Sequence, residues 1–342
     1  MTKVRLGDVA IEYKQAFKGD KQGVPTVGLE HLIPEEVKLS SWDTNSDNTF
    51  TKRFLKGQIL LGRRRAYLKK AAIAPFDGIC SGDITIIEAV PNKVSSELLP
   101  FIIQNDRFFD YAVKGSAGSL SPRVKWEYLK GYEFDLPAIE EQERLAELLW
   151  AAYDLKESYR NLIAATDEMA KAKFIEMFSD TKRQKQWKDV LSVIYGKALG
   201  EDCSLTGSYP VCGSGGIMGY TERKNSKKST IIIGRKGNIS NPILMETDYW
   251  LIDTAFCLDI DKEELNPMFF YYWCKQFDFI KLNKQTALPS LTRVDLDRIT
   301  MIIPPIEKQK SFEIIARQAD KSKTELQQSI ENIDNVMKSL LP

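Results

Sequence analysis

Apolar residues recur with alternating spacings of three and four along two stretches of the chain, the signature of a helix that buries one narrow seam. In the first stretch the seam reads Leu145, Leu148, Ala152, Leu155, Tyr159, Leu162, Thr166 and Met169. In the second it reads Phe312, Ile315, Ala319, Ser322, Leu326, Ser329, Ile333, Val336 and Leu340. Adding 167 to each member of the first list gives a member of the second. The offset also holds just ahead of the helices, where Leu129 to Gln142 aligns with Leu296 to Gln309. Both helices thus open with Pro-Xaa-Ile-Glu-Xaa-Gln, at Pro137 to Gln142 and at Pro304 to Gln309. The chain is an internal repeat, and its architecture is that of one half built twice.

Each helix follows a segment of over 110 residues with short β-like runs and turn residues. The first segment has runs at Gln58 to Arg65, Ala71 to Ala74 and Gly78 to Ile87, the second at Thr230 to Gly237, Ile243 to Met245 and Trp250 to Leu258. An aromatic, helix-like stretch comes next in each, Leu98 to Tyr111 and Pro267 to Phe279. The pattern predicts an α+β chain: two homologous mixed α/β domains at 1–137 and 181–303, and two helical spacers at 138–180 and 304–342.

A helix with a narrow seam needs another such helix to bury it. The second globular block is attached to the end of the first helix and the start of the second. In an antiparallel pair those points coincide, whereas in a parallel pair they stand ~45 Å apart for ~30 residues, more than the ~35 Å breadth of such a domain. The sequence therefore predicts an antiparallel coiled-coil pair with a domain at each end, acting as a ruler between them. Its principal seam residues are Leu145, Leu148, Leu155, Leu162, Met169, Phe312, Ile315, Leu326, Ile333 and Val336.

The 342 residues suit two domains plus extended structure, and 43% hydrophobic with 28% charged residues is a globular composition. The start of the chain lacks the apolar run of a secretory signal and no run of about 18 apolar residues occurs, so the expectation is a cytoplasmic protein. Cys80, Cys203, Cys212, Cys257 and Cys274 are scattered and odd in number, with His31 the single histidine, which speaks against a disulfide framework and a zinc site. A net charge of +1 argues against a non-specific nucleic-acid coat. Locally, Lys and Arg outnumber Asp and Glu by 20 to 17 in 1–137 and by 17 to 14 in 181–304, against 5 to 10 in 138–180 and 6 to 6 in 305–342.

Taken together, the paired helix starts, the run Tyr209 to Tyr220 and the Gly-Arg turns Gly62-Arg63 and Gly234-Arg235 resemble those of type I restriction-modification specificity subunits. The resemblance covers essentially the whole chain, although the chain is short for that family. It implies two target recognition domains, each reading one half of an asymmetric site in double-stranded DNA. It also implies two methyltransferase subunits docked on the helices and carrying S-adenosylmethionine, with a restriction-translocase subunit as a further partner. This chain would hold no cofactor and no metal, and would not itself be catalytic. Two alternatives stay open: the specificity module of another restriction or phage-defence methylase system, and a coiled-coil adaptor that binds only protein.

DNA reading needs cations for phosphates and forked donors for base edges. Arg63, Arg64 and Arg65 follow a predicted strand, with Lys69 and Lys70 close behind; three adjacent arginines repel one another unless an anion lies opposite, which favours a phosphate or base contact, the alternative being a solvated loop with acidic neighbours. Tyr220, Arg223, Lys224, Arg235, Lys236 and Asn238 are the comparable set in the second block, beside a glycine-rich run at Gly213 to Gly216. Arg123, Ser290, Thr292 and Arg293, just ahead of each block's closing strand, complete the candidates. Asn266-Pro-Met-Phe269 comes within one residue of an amino-methyltransferase motif, but a helix N-cap followed by proline explains it. No phosphate-binding glycine loop of the Walker A type occurs.

Overall fold

A computed structural model describes residues 2–44, 47–118, 121–200, 202–283 and 289–341. The chain forms two compact units, Met1–Arg160 with Gln327–Pro342, and Asn161–Leu326. Met1 and Pro342, which bound the first and last expected segments, lie outside the described residues. The fold is α+β, with a mixed α/β domain in each unit and two long helices, Ile139–Phe178 and Ile306–Leu340.

In the first unit the strand Ile59–Gly62 is buried along its whole length, which accounts for its unbroken apolar run. It lies in an antiparallel sheet in the order Ala10–Glu12, Ile84–Ala89, Ile59–Gly62, Ala71–Ile73. Alternate side chains face opposite ways. Ile59 and Leu61 pack with Phe101, Phe108 and Phe109 of the helices Leu99–Ile103 and Asp106–Lys114. Leu60 packs instead with Val27, Phe54 and Cys80, all from a second four-stranded sheet. The second unit repeats this plan. Its sheet runs Leu191–Tyr195, Ala255–Ile260, Thr230–Gly234, Ile243–Met245, with Ile231 and Ile233 against the aromatic helix Pro267–Gln276 and Ile232 against Cys212 and Leu251 of a three-stranded sheet. In both units a two-stranded ribbon leads into the long helix: Thr2–Arg5 pairs with Glu133–Leu136, and Gln184–Gln186 with Thr300–Ile302.

The shared Pro-Xaa-Ile-Glu-Xaa-Gln segment is a buried staple. Gln309 donates from Nε2 to the carbonyls of Pro304 (2.8 Å) and Glu264 (2.9 Å) and accepts at Oε1 from the Asn266 N–H (2.8 Å). Gln142 does the same for Pro137 (2.9 Å) and the Ser95 N–H (2.8 Å). Each glutamine thereby ties the first turn of a long helix to the loop that leads into the domain's own helices. Asn266 caps its helix as expected, accepting from Met268 N–H at 2.9 Å and Phe269 N–H at 3.2 Å.

Within each unit the two long-helix segments run antiparallel, and the same ion pair marks both. Lys156 reaches Asp334 at 2.9 Å in the first unit and Lys323 reaches Asp167 at 2.7 Å in the second. The offset of 167 converts one pair into the other. The buried seam, however, corrects the expected one. Ala146, Leu149, Tyr153, Lys156 and Ala170 are buried, whereas Leu148, Leu155, Leu162, Met169 and Val336 are exposed and Leu145, Ile315, Leu326 and Ile333 are half-buried. The first helix's true seam thus lies one residue after the expected one, and Phe312 alone of the ten principal positions is fully buried. The reason is chemical: beside Leu149 the pairing face carries alanines, aromatics and a lysine whose charge Asp334 meets and whose ammonium sits 5.4 Å from the Tyr153 ring. Leucine periodicity marked the outer face instead.

All five cysteines are free, four of them buried, and burial pushes the Cys80 thiol up to about 12. Among the described residues no cluster of three or more His, Cys, Asp or Glu is placed to hold a metal, and no helix is long and apolar enough to cross a membrane.

Candidate nucleic-acid interface

The Gly-Arg turn of each unit is held in one backbone frame. In the first, Arg63 N–H donates to the Asp83 carbonyl (3.0 Å), the Arg63 carbonyl accepts from Val124 (2.9 Å) and Arg65 N–H donates to the Pro122 carbonyl (2.9 Å). In the second, Arg235 N–H donates to the Thr254 carbonyl (2.8 Å), its carbonyl accepts from Leu291 (2.9 Å) and Gly237 N–H donates to the Pro289 carbonyl (3.0 Å). Pro122 and Val124 become Pro289 and Leu291 on adding 167, so the clamp is part of the repeat. The matched positions are Arg63 and Arg235, Arg64 and Lys236, Arg65 and Gly237, Asp83 and Thr254, Arg123 and Ser290. Arg65 and Gly237 both have positive φ, at 53° and 80°. Gly234 has no alternative, because a Cβ there would fall 1.8 Å from the Asn238 carbonyl oxygen.

The side chains on the two frames differ. An acidic neighbour within the protein, Asp83, stands opposite the arginine run: it accepts from Arg123 Nε (2.8 Å) and Nη2 (3.4 Å) and from Arg64 Nη1 (3.4 Å), and lies 3.8 Å from Arg63 Nε. The Arg123 hydrogen bond holds the Asp83 carboxyl below the usual range against the opposing effect of burial, with Arg64 and Arg63 adding to it. Arg64 Nε also donates to Ser121 Oγ (2.7 Å). Three cations against one anion leave this surface positive by two. Arg65 and Tyr67 are exposed beside it.

In the second unit Thr254 stands in place of Asp83, and among the described residues no carboxylate forms an ion pair with Arg235. The Arg235 guanidinium lies 5.3 Å from the Tyr195 ring centre and donates to the Asp253 carbonyl at 3.3 Å, and Lys236 and Asn238 are exposed next to it. The glycine-rich hairpin turn adjoins them, since Ser214 N–H reaches Thr254 Oγ1 at 3.3 Å. Ser290 bridges to Lys236, and Thr292 caps the short helix that carries Arg293, which pairs with Asp297 at 3.4 Å.

Other candidates are placed elsewhere. Lys69 Nζ is held by Asp106 (2.6 Å) and Glu35 (3.1 Å), and Lys70 Nζ by the Leu29 carbonyl (2.7 Å), so both ammonium groups are used within the unit. Arg223 pairs with Asp202 at 2.7 Å over the Trp250 ring, and Lys224 with Asp248 at 2.7 Å. Lys224 lines a depression of 470 Å³ with Lys227, Lys228 and Lys262, at the end of strand Thr230–Gly234 opposite the Arg235 turn. Tyr220 stands on the hairpin strand Gly216–Thr221 with Ile217 and Met218, all exposed. Asp83, Ser121, Thr254, Ile217 and Met218 were not among the sequence candidates. The offset carried to Pro122 and Pro289 was the available signal for the clamp.

The sequence profile described as Type I restriction modification DNA specificity domain matches residues 180–334. The Type I restriction enzyme EcoDI specificity subunit of Escherichia coli is 26% identical over 170 residues, which cover 46% of this chain and 37% of that relative. The chain thus spans well under two thirds of that relative's length. The type I restriction-modification S subunit from M. genitalium shares the fold over 100% of this chain and 96% of its own, at 17% identity and a TM-score of 0.65. A structure titled for complex assembly and conformational transition of the type I R-M system shares it over 99% of this chain and 96% of its own, at 17% identity and a TM-score of 0.58. The second unit thus matches the profile of a type I specificity domain, part of the chain aligns with a named specificity subunit, and the fold is shared end to end with a solved S subunit.

Proposed function

We propose that this chain is the DNA-reading subunit of a type I restriction-modification complex. The segments 1–137 and 181–303 are its recognition domains, and 138–180 and 304–342 its helical spacers. Each Gly-Arg turn addresses one half of an asymmetric, two-part site. The observation that carries this reading is one backbone frame built twice and dressed with different side chains, as a reader of two different half-sites requires. Arg63, Arg64, Arg65 and Arg123 face one half; Arg235, Lys236, Asn238, Ser290, Thr292 and Arg293 face the other. Tyr220 extends the second surface along its hairpin, while Arg223 and Lys224, ion-paired with Asp202 and Asp248, and Lys69 and Lys70, bound within the first unit, add positive charge away from the two turns.

The chain itself performs no catalysis. Two methyltransferase subunits bring S-adenosylmethionine and methylate adenine, and a restriction-translocase subunit joins the same complex. Leu148 and Leu155 in the first unit and Leu162 and Met169 in the second, exposed at seven-residue spacing, are the natural seats for partner helices.

Salt dependence of duplex binding tests this reading against a protein-only adaptor. Counterion release at about five or more phosphates gives a slope of log affinity on log salt steeper than about −4. A slope near zero refutes DNA reading. Calorimetry with the pure chain should show no S-adenosylmethionine binding.

A further inference from the structure

We propose that Asp83 is a positioning residue that makes the first unit's turn sequence-specific as well as cationic. The inference rests on the DNA-reading function above and names the group that sets its precision at one half-site.

An arginine reads a base edge only when its planar fork is held in a fixed orientation, and a free side chain loses that order to rotamer entropy. Asp83 removes the freedom of two arginines at once. It takes Arg123 through Nε and Nη2 at 2.8 and 3.4 Å, and Arg64 through Nη1 at 3.4 Å, while Ser121 takes Arg64 Nε at 2.7 Å. Each guanidinium has five donors, so both keep donors free for a ligand. Arg63 Nε is buried and without a hydrogen bond, 3.8 Å from the same carboxylate, close enough for attraction but too far for a bond. One acid therefore orients the cluster without cancelling it.

Asp83 is not there to build the turn. In the second unit the same backbone clamp forms around Thr254, which has no charge, and Ser290 stands where Arg123 does. The carboxylate and its arginine partner occur together in one unit and are absent together from the other. That is the pattern of a side-chain device added to a frame that is complete without it.

The test uses the full chain in complex with its methyltransferase partner, on duplexes carrying the motif found by mapping methylated adenines. Three competitors are compared: the intact motif, the motif with one half scrambled, and the motif with the other half scrambled. D83N keeps the shape and removes the charge. Discrimination at one half should fall tenfold or more while the other half is read as before. Affinity for fully scrambled DNA should rise, with a salt slope steeper by up to about 1. D83T, which installs the residue of the second unit, should behave the same way and guards against a folding defect peculiar to D83N. Equal loss at both halves, or weaker binding to scrambled DNA, means that Asp83 only supports the fold and overturns the proposal. Wild-type discrimination in both variants overturns it as well. A wild-type complex that fails to discriminate any duplex refutes the DNA-reading function itself, and this inference with it.

Discussion

Replacing Gln309 by alanine should destabilise the second unit by about 3–5 kcal/mol. The side chain is fully buried and makes three hydrogen bonds, to Pro304, Glu264 and Asn266. Three bonds at about 0.5–1.5 kcal/mol net give about 1.5–4.5 kcal/mol. The truncation also strands a buried Asn266 N–H and two carbonyls, which places the loss in the upper half of that range or just above it. Gln142 makes two such bonds, so Q142A should cost less, about 2–3 kcal/mol. Urea unfolding followed by tryptophan fluorescence measures both, because Trp187 is buried among Phe270, Trp273 and Phe279 of the second unit and Trp150 packs on Phe101 and Tyr153 of the first. With a slope of about 2–3 kcal/mol per M urea, Q309A should lower the midpoint by more than 1 M. A change below about 1 kcal/mol would show that the shared glutamine is not what fastens the helix start, and the staple would have to be abandoned.

Other outcomes follow from the same geometry. D334A should leave Lys156 buried without its partner and cost about 2–4 kcal/mol, while the double exchange K156D/D334K should restore most of the thermal stability. The depressed pKa of Asp83 gives stability that is complete above the ordinary aspartate value of about 3.9 and is lost as pH falls through the lower folded value, so acid unfolding of D83N should be less steep than wild type below about pH 4. Adding one heptad after Tyr159 and one after Leu326 lengthens both helices by ~10 Å, and the methylated motif should then keep its bases and gain at most ~3 base pairs of spacer. A lengthened chain that stays active at the original spacing would mean that the helices do not set the distance.

The repeat, the α+β class and the helix starts were legible because each rests on spacing along the chain. Pro137 and Pro304, Gln142 and Gln309 occupy matching places in sequence and in structure. The seam was misread by one residue because periodicity ranks Leu148, Leu155 and Leu162 above Ala146, Tyr153 and Lys156. Which face is buried depends on what stands opposite, and Asp334 lies 178 residues from Lys156. The arginine run was visible as a charge problem, but its solution, Asp83, is 20 positions away on the loop before a neighbouring strand, and only the pairing of Gly62 with Ile84 brings it into range. Lys69 and Lys70 show the converse: adjacent cations in sequence, but spent on Asp106, Glu35 and the Leu29 carbonyl. Local composition does not tell a reading cation from a structural one.

The most direct test expresses the chain with its methyltransferase partner in a host free of adenine methylation and maps the methylated adenines across the genome. The account predicts one asymmetric motif of two short blocks separated by a spacer of fixed length. In the triple variant R63A/R64A/R65A, one block should become degenerate or methylation should be lost, with assembly of the complex intact. A single undivided motif, methylation without a motif, or an unchanged motif in the triple variant would contradict the claim that each unit reads one half of the site.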